Sequence, residues 1–295
     1  METRVSIAGG SGRVGGELTR RLRRAGVPVR VLTRDPAAAR SRLADPGVEL
    51  AAVDFADPAT LRAAFAGSAA AFLATGTHER QVADEIALAD AAVAAGVPHL
   101  VTLSVRGSGL GEDSTVLRWH GQIDAHLAGL PVAATVLRPA TYVDMMLRVA
   151  ATLAAGAGWG GLAGAGAISA IDSRDVAAVA AVVLRDGAGR HGGRAYDLTG
   201  PAAVTMPELS GLLGVALHRP VPYAVRTEAE QRAVLAAAGF VPLMVDVLVE
   251  IDRLIGSGVS AGTTPTVREL TGRPPYPAAD SVAGHLGFFA AARSA

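Results

Sequence analysis

The chain switches between two hydrophobic periods through its first half. Val5–Ala8 is a short apolar-leaning run that enters the glycines Gly9, Gly10, Gly12 and Gly15. Directly after it, Val14, Leu18, Leu22 and Ala25 fall at helical spacing, with Arg20, Arg21, Arg23 and Arg24 on other faces. The same exchange repeats. Strands are expected at Val27–Leu32, Val48–Val53, Ala69–Leu73, Pro98–Leu103 and Val132–Leu137. Helices are expected at Pro36–Ala44, Asp57–Phe65, His78–Ala95 and Asp113–Ala128, with Gly67 and Gly96 closing two of them.

Strands that alternate with helices imply an α/β fold: a Rossmann-like, doubly wound parallel sheet covered on both faces. Right-handed crossovers put the C-terminal ends of all its strands on one edge, where ligands bind. Gly9–Gly15, Thr33-Arg34, Asp54-Phe55, Ala74–Thr77, Ser104-Val105 and Arg138–Tyr142 should therefore line one crevice. Past residue 140 the alternation weakens. Ile168–Ile171, Asp172–Leu184 and Ala195–Leu198 read as strand, helix, strand. Thr205 and Glu208 form a capping-box pattern, Arg219–Tyr223 resembles a strand, and Thr227–Ala238, Val241–Ile255 and Pro277–Ala292 read as helices. The expected division is a dinucleotide-binding domain over 1–140, then a part over 141–295 that completes the sheet and forms a smaller, mostly helical C-terminal lobe for substrate.

Composition narrows the chemistry. There is no cysteine among the 295 residues, which removes disulfides, thiolate catalysis and Cys-based metal sites. There is no lysine either; all 27 basic residues are arginine, so chemistry that requires a lysine is absent. The formal net charge is zero, which argues against nucleic acid or an anionic membrane as partner. The longest uncharged stretch, Val149 to Ile171, contains six glycines and reads as a loop before a strand rather than a membrane span. Met1-Glu2-Thr3-Arg4 leads straight into a strand with no secretory leader, so a cytoplasmic protein is expected, as monomer or homodimer. The histidines form no spacing with acidic residues that suggests a metal site.

The glycine segment carries the most specific signal. A tight turn needs residues that tolerate positive φ, a pyrophosphate approaches backbone only where no Cβ intrudes, and the helix N-terminus offers N–H groups and partial positive charge. Two registers fit, Gly10-x-Gly12-x-x-Gly15 and Gly9-x-x-Gly12-x-x-Gly15; a strand ending at Ala8 favours the second. Ser11, Arg13 and Val14 fill the turn between the glycines. The next strand ends in Thr33-Arg34-Asp35, where the cofactor ribose is read. Arg34 there suits the 2′-phosphate of NADP(H) through a charge-assisted contact. Asp35 is the competing signal, since an acid at that place would bind the 2′-hydroxyl of NAD; it also suits an N-cap before Pro36.

These residues resemble the NmrA-like group of atypical short-chain dehydrogenases/reductases, close to the NADPH:quinone oxidoreductases of type 2. The resemblance rests on Gly9-Gly10-Ser11-Gly12-Arg13-Val14-Gly15, on Arg34, on Asp54 with Leu61 and Phe65, and on Val136-Leu137-Arg138. Ile168-Ser169-Ala170-Ile171-Asp172-Ser173-Arg174-Asp175 and Asp280-Ser281-Val282-Ala283-Gly284-His285-Leu286 extend it to nearly the whole chain. It implies that Asp54 and Phe55 border the adenine and that Ala74 and Thr75 border the nicotinamide-side ribose. The superfamily's tyrosine–lysine pair is missing: Val116 and His120 occupy its two slots. His120 is then a candidate to hold a ribose hydroxyl or relay a proton, with Asp124 four residues on to orient it. Ser104, at the superfamily's serine position, and Tyr142, after the sixth strand, are the other candidate catalytic groups.

Together these features imply an NADPH-dependent reductase transferring hydride to a quinone, enone or activated carbonyl, with an aromatic, quinone-like small molecule as substrate. A quinone tolerates the missing pair because its developing oxyanion is delocalised. Trp159, Leu162, Met145, Met146, Phe240 and Met244 are candidates for an aromatic-substrate wall, although each by itself fits a core position better. The alternative is a regulator that binds NADP(H) and turns nothing over.

Overall fold

The computed structural model describes residues 4–110, 114–154 and 156–291. Its first part is a strict alternation: β1 (Val5–Ala8), α1 (Arg13–Arg24), β2 (Val29–Thr33), α2 (Pro36–Leu43), β3 (Glu49–Ala52), α3 (Pro58–Phe65), β4 (Ala70–Leu73), α4 (Gln81–Ala94), β5 (His99–Leu103), α5 (Thr115–Ala128) and β6 (Ala133–Pro139). There follow α6 (Val143–Leu153), β7 (Gly160–Gly161), β8 (Ala167–Ile168), α7 (Ser173–Asp186), α8 (Ala188–His191) and β9 (Ala195–Leu198). The chain ends with β10 (Val204–Thr205), α9 (Met206–Leu217), β11 (Ala224–Val225), α10 (Glu228–Ala237), α11 (Pro242–Gly256), α12 (Thr266–Thr271), α13 (Ala278–Gly284) and α14 (Gly287–Ala291).

Seven strands form the main sheet in the order β3-β2-β1-β4-β5-β6-β9. The pairs from β3 to β6 are parallel, with Ile7 opposite Val31 on one side and Phe72 on the other. β9 advances alongside β6 in the same sense, Val136 N–H donating to Arg194 and Ala140 N–H to Leu198. The order reverses at β1, so the ends of β1 and β4 lie side by side at a topological switch point. Every residue of β1 and β4 is buried, as expected for central strands covered on both faces.

Two compact units can be told apart: residues 1–138 with 176–197, and 139–175 with 198–295. The expected division at 140 thus lies close to where the chain leaves the first unit, but the chain returns to it for residues 176–197. In the first unit, Phe65, Leu61, Leu88, Ala92 and Leu100 pack together, all fully buried. The second unit has its own cores, one around Trp159, Leu147, Leu209 and Val282, another around Leu153, Leu235 and Val249.

Several local expectations change. Val149–Leu153 is the end of α6 rather than a loop; Val143, Met146, Leu147, Ala150 and Ala151 form its buried stripe, and the glycines begin only beyond it. The strand expected at Ile168–Ile171 is broken into a short pairing of Ala167 and Ile168 and an isolated bridge of Ile171 to Tyr142, and that at Arg219–Tyr223 is replaced by pairing of Ala224 and Val225 with Gly160 and Gly161. The last helix is divided at His285-Leu286, and α12 was not foreseen. Gly284 ends α13 with the Arg174 guanidinium 2.9 Å from where a Cβ would stand. Asp113 and Ala292, expected to bound helices, lie outside the described residues. Thr205 accepts from Glu208 N–H while Glu208 reaches back to Thr205 N–H, the expected capping box. Among the described residues, no helix is long and apolar enough to cross a membrane, and no group of three or more acidic or histidine side chains could hold a metal.

Candidate cofactor and proton-transfer site

The turn after β1 is built for close backbone approach. Gly9 has φ +76°, and a Cβ on it would lie 2.4 Å from the carbonyl oxygen of Ala74 at the end of β4. A Cβ on Gly15 would lie 2.3 Å from Gly9 O. These contacts, with Gly12 N–H donating to Gly9 O at 2.9 Å, favour the register Gly9-x-x-Gly12-x-x-Gly15. Gly12 is the N-cap of α1 and has no side chain to satisfy the first-turn N–H groups. No acidic residue stands in that turn, so the positive end of the helix is uncompensated. Ser11 is half-buried, Arg13 exposed and Val14 buried.

At the end of β2, Asp35 caps α2, its Oδ1 accepting from Ala38 N–H at 3.0 Å. Its competing part as a ribose acid is thereby given a structural alternative. Thr33 Oγ1 accepts from Asp35 N–H at 3.1 Å. Arg34 is exposed and has no ion pair among the described residues, whereas Arg20, Arg23, Arg30 and Arg80 of the same unit do. Asp54 Oδ1 accepts from Ala56 N–H at 2.9 Å and so shapes the turn after β3, while Phe55 packs against the core of the first unit.

A buried polar array follows from Ala74-Thr75. Both Thr75 N–H and Thr75 Oγ1 donate to Oε1 of Glu85, at 3.2 and 2.8 Å. Gln81 Nε2 donates to the same oxygen at 3.3 Å and also lies 3.3 Å from Nε2 of His120. Gln81 and Glu85 are 3% and 2% exposed, which makes them interior residues of α4 rather than a solvated face. Burial pushes the Glu85 carboxyl up to about 7 against the three hydrogen bonds, which act downward, and the Asp124 charge adds to the rise. Burial also pushes His120 down to about 4, with Asp124 opposing, so the ring is neutral at physiological pH. Glu85 Oε2 and His120 Nδ1 are buried and have no partner among the described residues.

Asp124 does not orient His120 by a hydrogen bond, as the spacing on α5 had suggested. Its Oδ2 is taken by Ser104 Oγ at 3.1 Å, Ser108 Oγ at 2.7 Å and the Arg138 guanidinium at 3.0 Å. Ser104 spends its hydroxyl proton on that carboxylate. Ser104 and His120 thus belong to adjoining networks, and the group that holds His120 is Gln81. Tyr142 is the N-cap of α6 in the second unit, bridged to Ile171. Trp159 and Met146 are buried core residues of that unit, Trp159 standing edge-on to Tyr223 with centroids 5.9 Å apart. Met145 packs partly buried against the same core, and Leu162, Phe240 and Met244 pack partly buried against the second core, around Leu153, Leu235 and Val249.

Sequence reasoning missed Gln81 and Glu85. The signal was present: Gln81, Glu85, Leu88 and Ala92 share one helical stripe, and the first two put an amide and a carboxyl on a buried face.

The local features fit a dinucleotide. The Gly9 turn leaves the space a Cβ would fill, the α1 N-terminus lacks a side-chain cap, Arg34 is an uncommitted cation, and His120 Nδ1 is an orphaned polar atom beyond Thr75.

Comparison with known proteins agrees. A model of the NmrA-like family matches residues 1–114. An NAD(P)H azoreductase of Xenophilus azovorans is 33% identical over 290 residues, 98% of this chain and 100% of the relative. A (4-alkanoyl-5-oxo-2,5-dihydrofuran-3-yl)methyl phosphate reductase of Streptomyces griseus is 34% identical, over 97% of this chain and 99% of its own length. Among solved structures, the Escherichia coli NADPH-dependent quinone oxidoreductase complexed with NADPH superposes with a TM-score of 0.85 at 28% identity, covering 96% of this chain and 99% of that one.

Proposed function

We propose that this chain, which belongs to the NmrA-like family, is an NADPH-dependent reductase of electron-poor π acceptors, with quinones as the leading substrate class. The relatives named above are reductases of azo, dihydrofuranone and quinone compounds, matched along essentially their whole length. Such acceptors spread the charge that follows hydride addition, so they do not need the strong acid of a tyrosine–lysine pair.

The observation that carries the reading is the continuous path from Gly9 to His120. Gly9 packs on Ala74; Thr75, the next residue, binds Glu85; Gln81 joins Glu85 to His120. A turn suited to a pyrophosphate and a half-buried neutral histidine are thus linked through the end of β4.

When bound, the reduced nicotinamide supplies the hydride. The backbone of Gly9–Gly15 and the N-terminus of α1 would hold the pyrophosphate, and Arg34 the 2′-phosphate. Thr75 directs its hydroxyl proton at Glu85, which leaves its Oγ1 lone pairs to accept from a ribose hydroxyl. His120, neutral and with Nδ1 unpartnered, would donate a hydrogen bond to the reduced oxygen, whose proton comes from solvent. Ser104 already donates to Asp124 and would serve as an acceptor or as structure. Tyr142 is a second candidate donor, to be tested by substitution to Phe.

The test is NADPH absorbance decay with pure protein and a panel of quinones, azo compounds and enones, with NADH in parallel. The expected result is NADPH-selective decay with one NADPH and one proton consumed per quinone. Tight NADPH binding without decay on any acceptor would overturn the reductase reading in favour of a cofactor-binding regulator.

A further inference from the structure

We propose that Glu85 and Gln81 are positioning residues that fix His120 in the tautomer carrying its proton on Nδ1. The inference rests on the reductase reading for its consequence in turnover, but not for its geometry.

The argument follows from donor and acceptor capacities. Oε1 of Glu85 receives Thr75 N–H and Thr75 Oγ1–H. Whether the carboxyl is ionised or protonated at Oε2, Oε1 is an acceptor. The Gln81 atom that faces it at 3.3 Å must therefore be the amide nitrogen. That nitrogen carries two hydrogens. One is used on Glu85, and the other points at Nε2 of His120, also 3.3 Å away. Nε2 must then accept. A neutral imidazole that accepts at Nε2 carries its hydrogen at Nδ1. Nδ1 is the ring nitrogen with no partner among the described residues, so the array presents one N–H for a ligand to take.

The array also ties the histidine to the strand edge. Glu85 holds Thr75 on the end of β4, Gln81 is one turn away on the same helix, and His120 comes from α5, which packs on α4. The charged groups around it have other partners. Asp124 on α5 pairs with Arg138, and Asp84 on α4 pairs with Arg80 and lies 3.8 Å from His78. From α3, the buried residues are Leu61, Ala64 and Phe65, and Arg62 is exposed. None of these competes for Gln81 Nε2.

The experiment reads the His120 ring nitrogens by ¹⁵N NMR in cofactor-free protein, alongside quinone turnover. Wild type is expected to show hydrogen on Nδ1. Glu85→Gln keeps an acceptor at the same place and should keep that tautomer. Gln81→Leu and Glu85→Leu should give a mixture, with kcat lowered about tenfold because the Nδ1–H that would stabilise the reduced oxygen is no longer fixed. Hydrogen on Nε2 in wild type would overturn the inference without recourse to any variant. An unchanged spectrum in a folded Gln81→Leu protein would overturn it too, as would a shifted tautomer with unchanged kcat. If wild type shows the Nδ1 tautomer, dependent on Gln81, yet reduces no acceptor, the geometry of the inference holds and the reductase reading is the one that fails.

Discussion

The hydroxyl of Ser104 donates to the carboxylate of Asp124 across 3.1 Å, from the end of β5 to the middle of α5. Ser108 and Arg138 converge on the same oxygen. Asp124 is thus the acceptor that ties the β5 and β6 ends to the helix bearing His120. Its replacement by Ala strands three donors, one of them a guanidinium. Asp124→Ala should lose roughly 2–4 kcal/mol of stability, read as a shifted midpoint in urea with the slope unchanged. Ser104→Ala removes one of several donors and should lose no more than about 1 kcal/mol. An Asp124→Ala protein as stable as wild type would show that the network is ornamental.

The Gly9 turn makes a second, purely steric prediction. Gly9→Ala combines positive φ with a Cβ 2.4 Å from a backbone oxygen that cannot swing away. It should cost more than about 2 kcal/mol, the first 1–2 from the left-handed conformation alone, and abolish NADPH binding. Gly96→Ala, which shares the positive φ of +76° but meets nothing within 4 Å and closes α4 away from the turn, is the control: it should cost only the conformational term of roughly 1–2 kcal/mol and leave NADPH binding unchanged. Isothermal titration with NADPH and thermal unfolding of both variants decide the point.

This difference between two glycines marks how far the sequence could be read. The Gly9–Gly15 turn, the end of β2 and the Asp35 cap were legible because each is a contiguous segment whose chemistry is set by its neighbours in the chain. The Gln81–Glu85–His120 array was not, because its parts come from two helices 39 residues apart and its meaning lies in which faces pack together. His120 was found by its position in a known pattern, yet its holder was assigned to Asp124, the nearest acid at helical spacing. Ser104, Ser108 and Arg138 claim that acid through tertiary contacts that spacing does not reveal. Helix α6 was missed for a related reason: its buried stripe runs into an uncharged glycine-rich stretch, and only packing against α13 and α14 shows where it ends.

Glu85 makes stability depend on pH in an unusual direction for a carboxyl. Its pKa is raised from 4.5 to about 7. Between those values the folded protein keeps a proton that the unfolded chain has released. The contribution is fully present below about 4.5 and is lost as pH rises through about 7, a change on the order of 3 kcal/mol. Asp252, also pushed up to about 7 by burial, adds to the trend, while His99 and His120, pushed down to about 4, oppose it below 6.5. The difference between wild type and Glu85→Gln isolates the one group. Wild type should lose ground to the variant steadily from pH 4.5 to 8 in urea unfolding; a pH-independent difference would mean that Glu85 titrates normally.

Arg34 should set the cofactor preference. It is exposed, follows β2 directly and has no ion pair among the described residues, while its neighbour Asp35 is engaged as the α2 cap. A guanidinium so placed suits the 2′-phosphate, and a charge-assisted contact of roughly 1.5–3 kcal/mol corresponds to about 10- to 100-fold in affinity. Arg34→Ala should therefore weaken NADPH by that factor and leave NADH nearly unchanged, with no loss of thermal stability, since no intramolecular partner is abandoned. The contrast should shrink with added salt, because the contact lies at the surface. Asp35→Asn, which keeps the cap, should leave the ratio in favour of NADPH; if it instead reverses the selectivity, Asp35 rather than Arg34 reads the ribose.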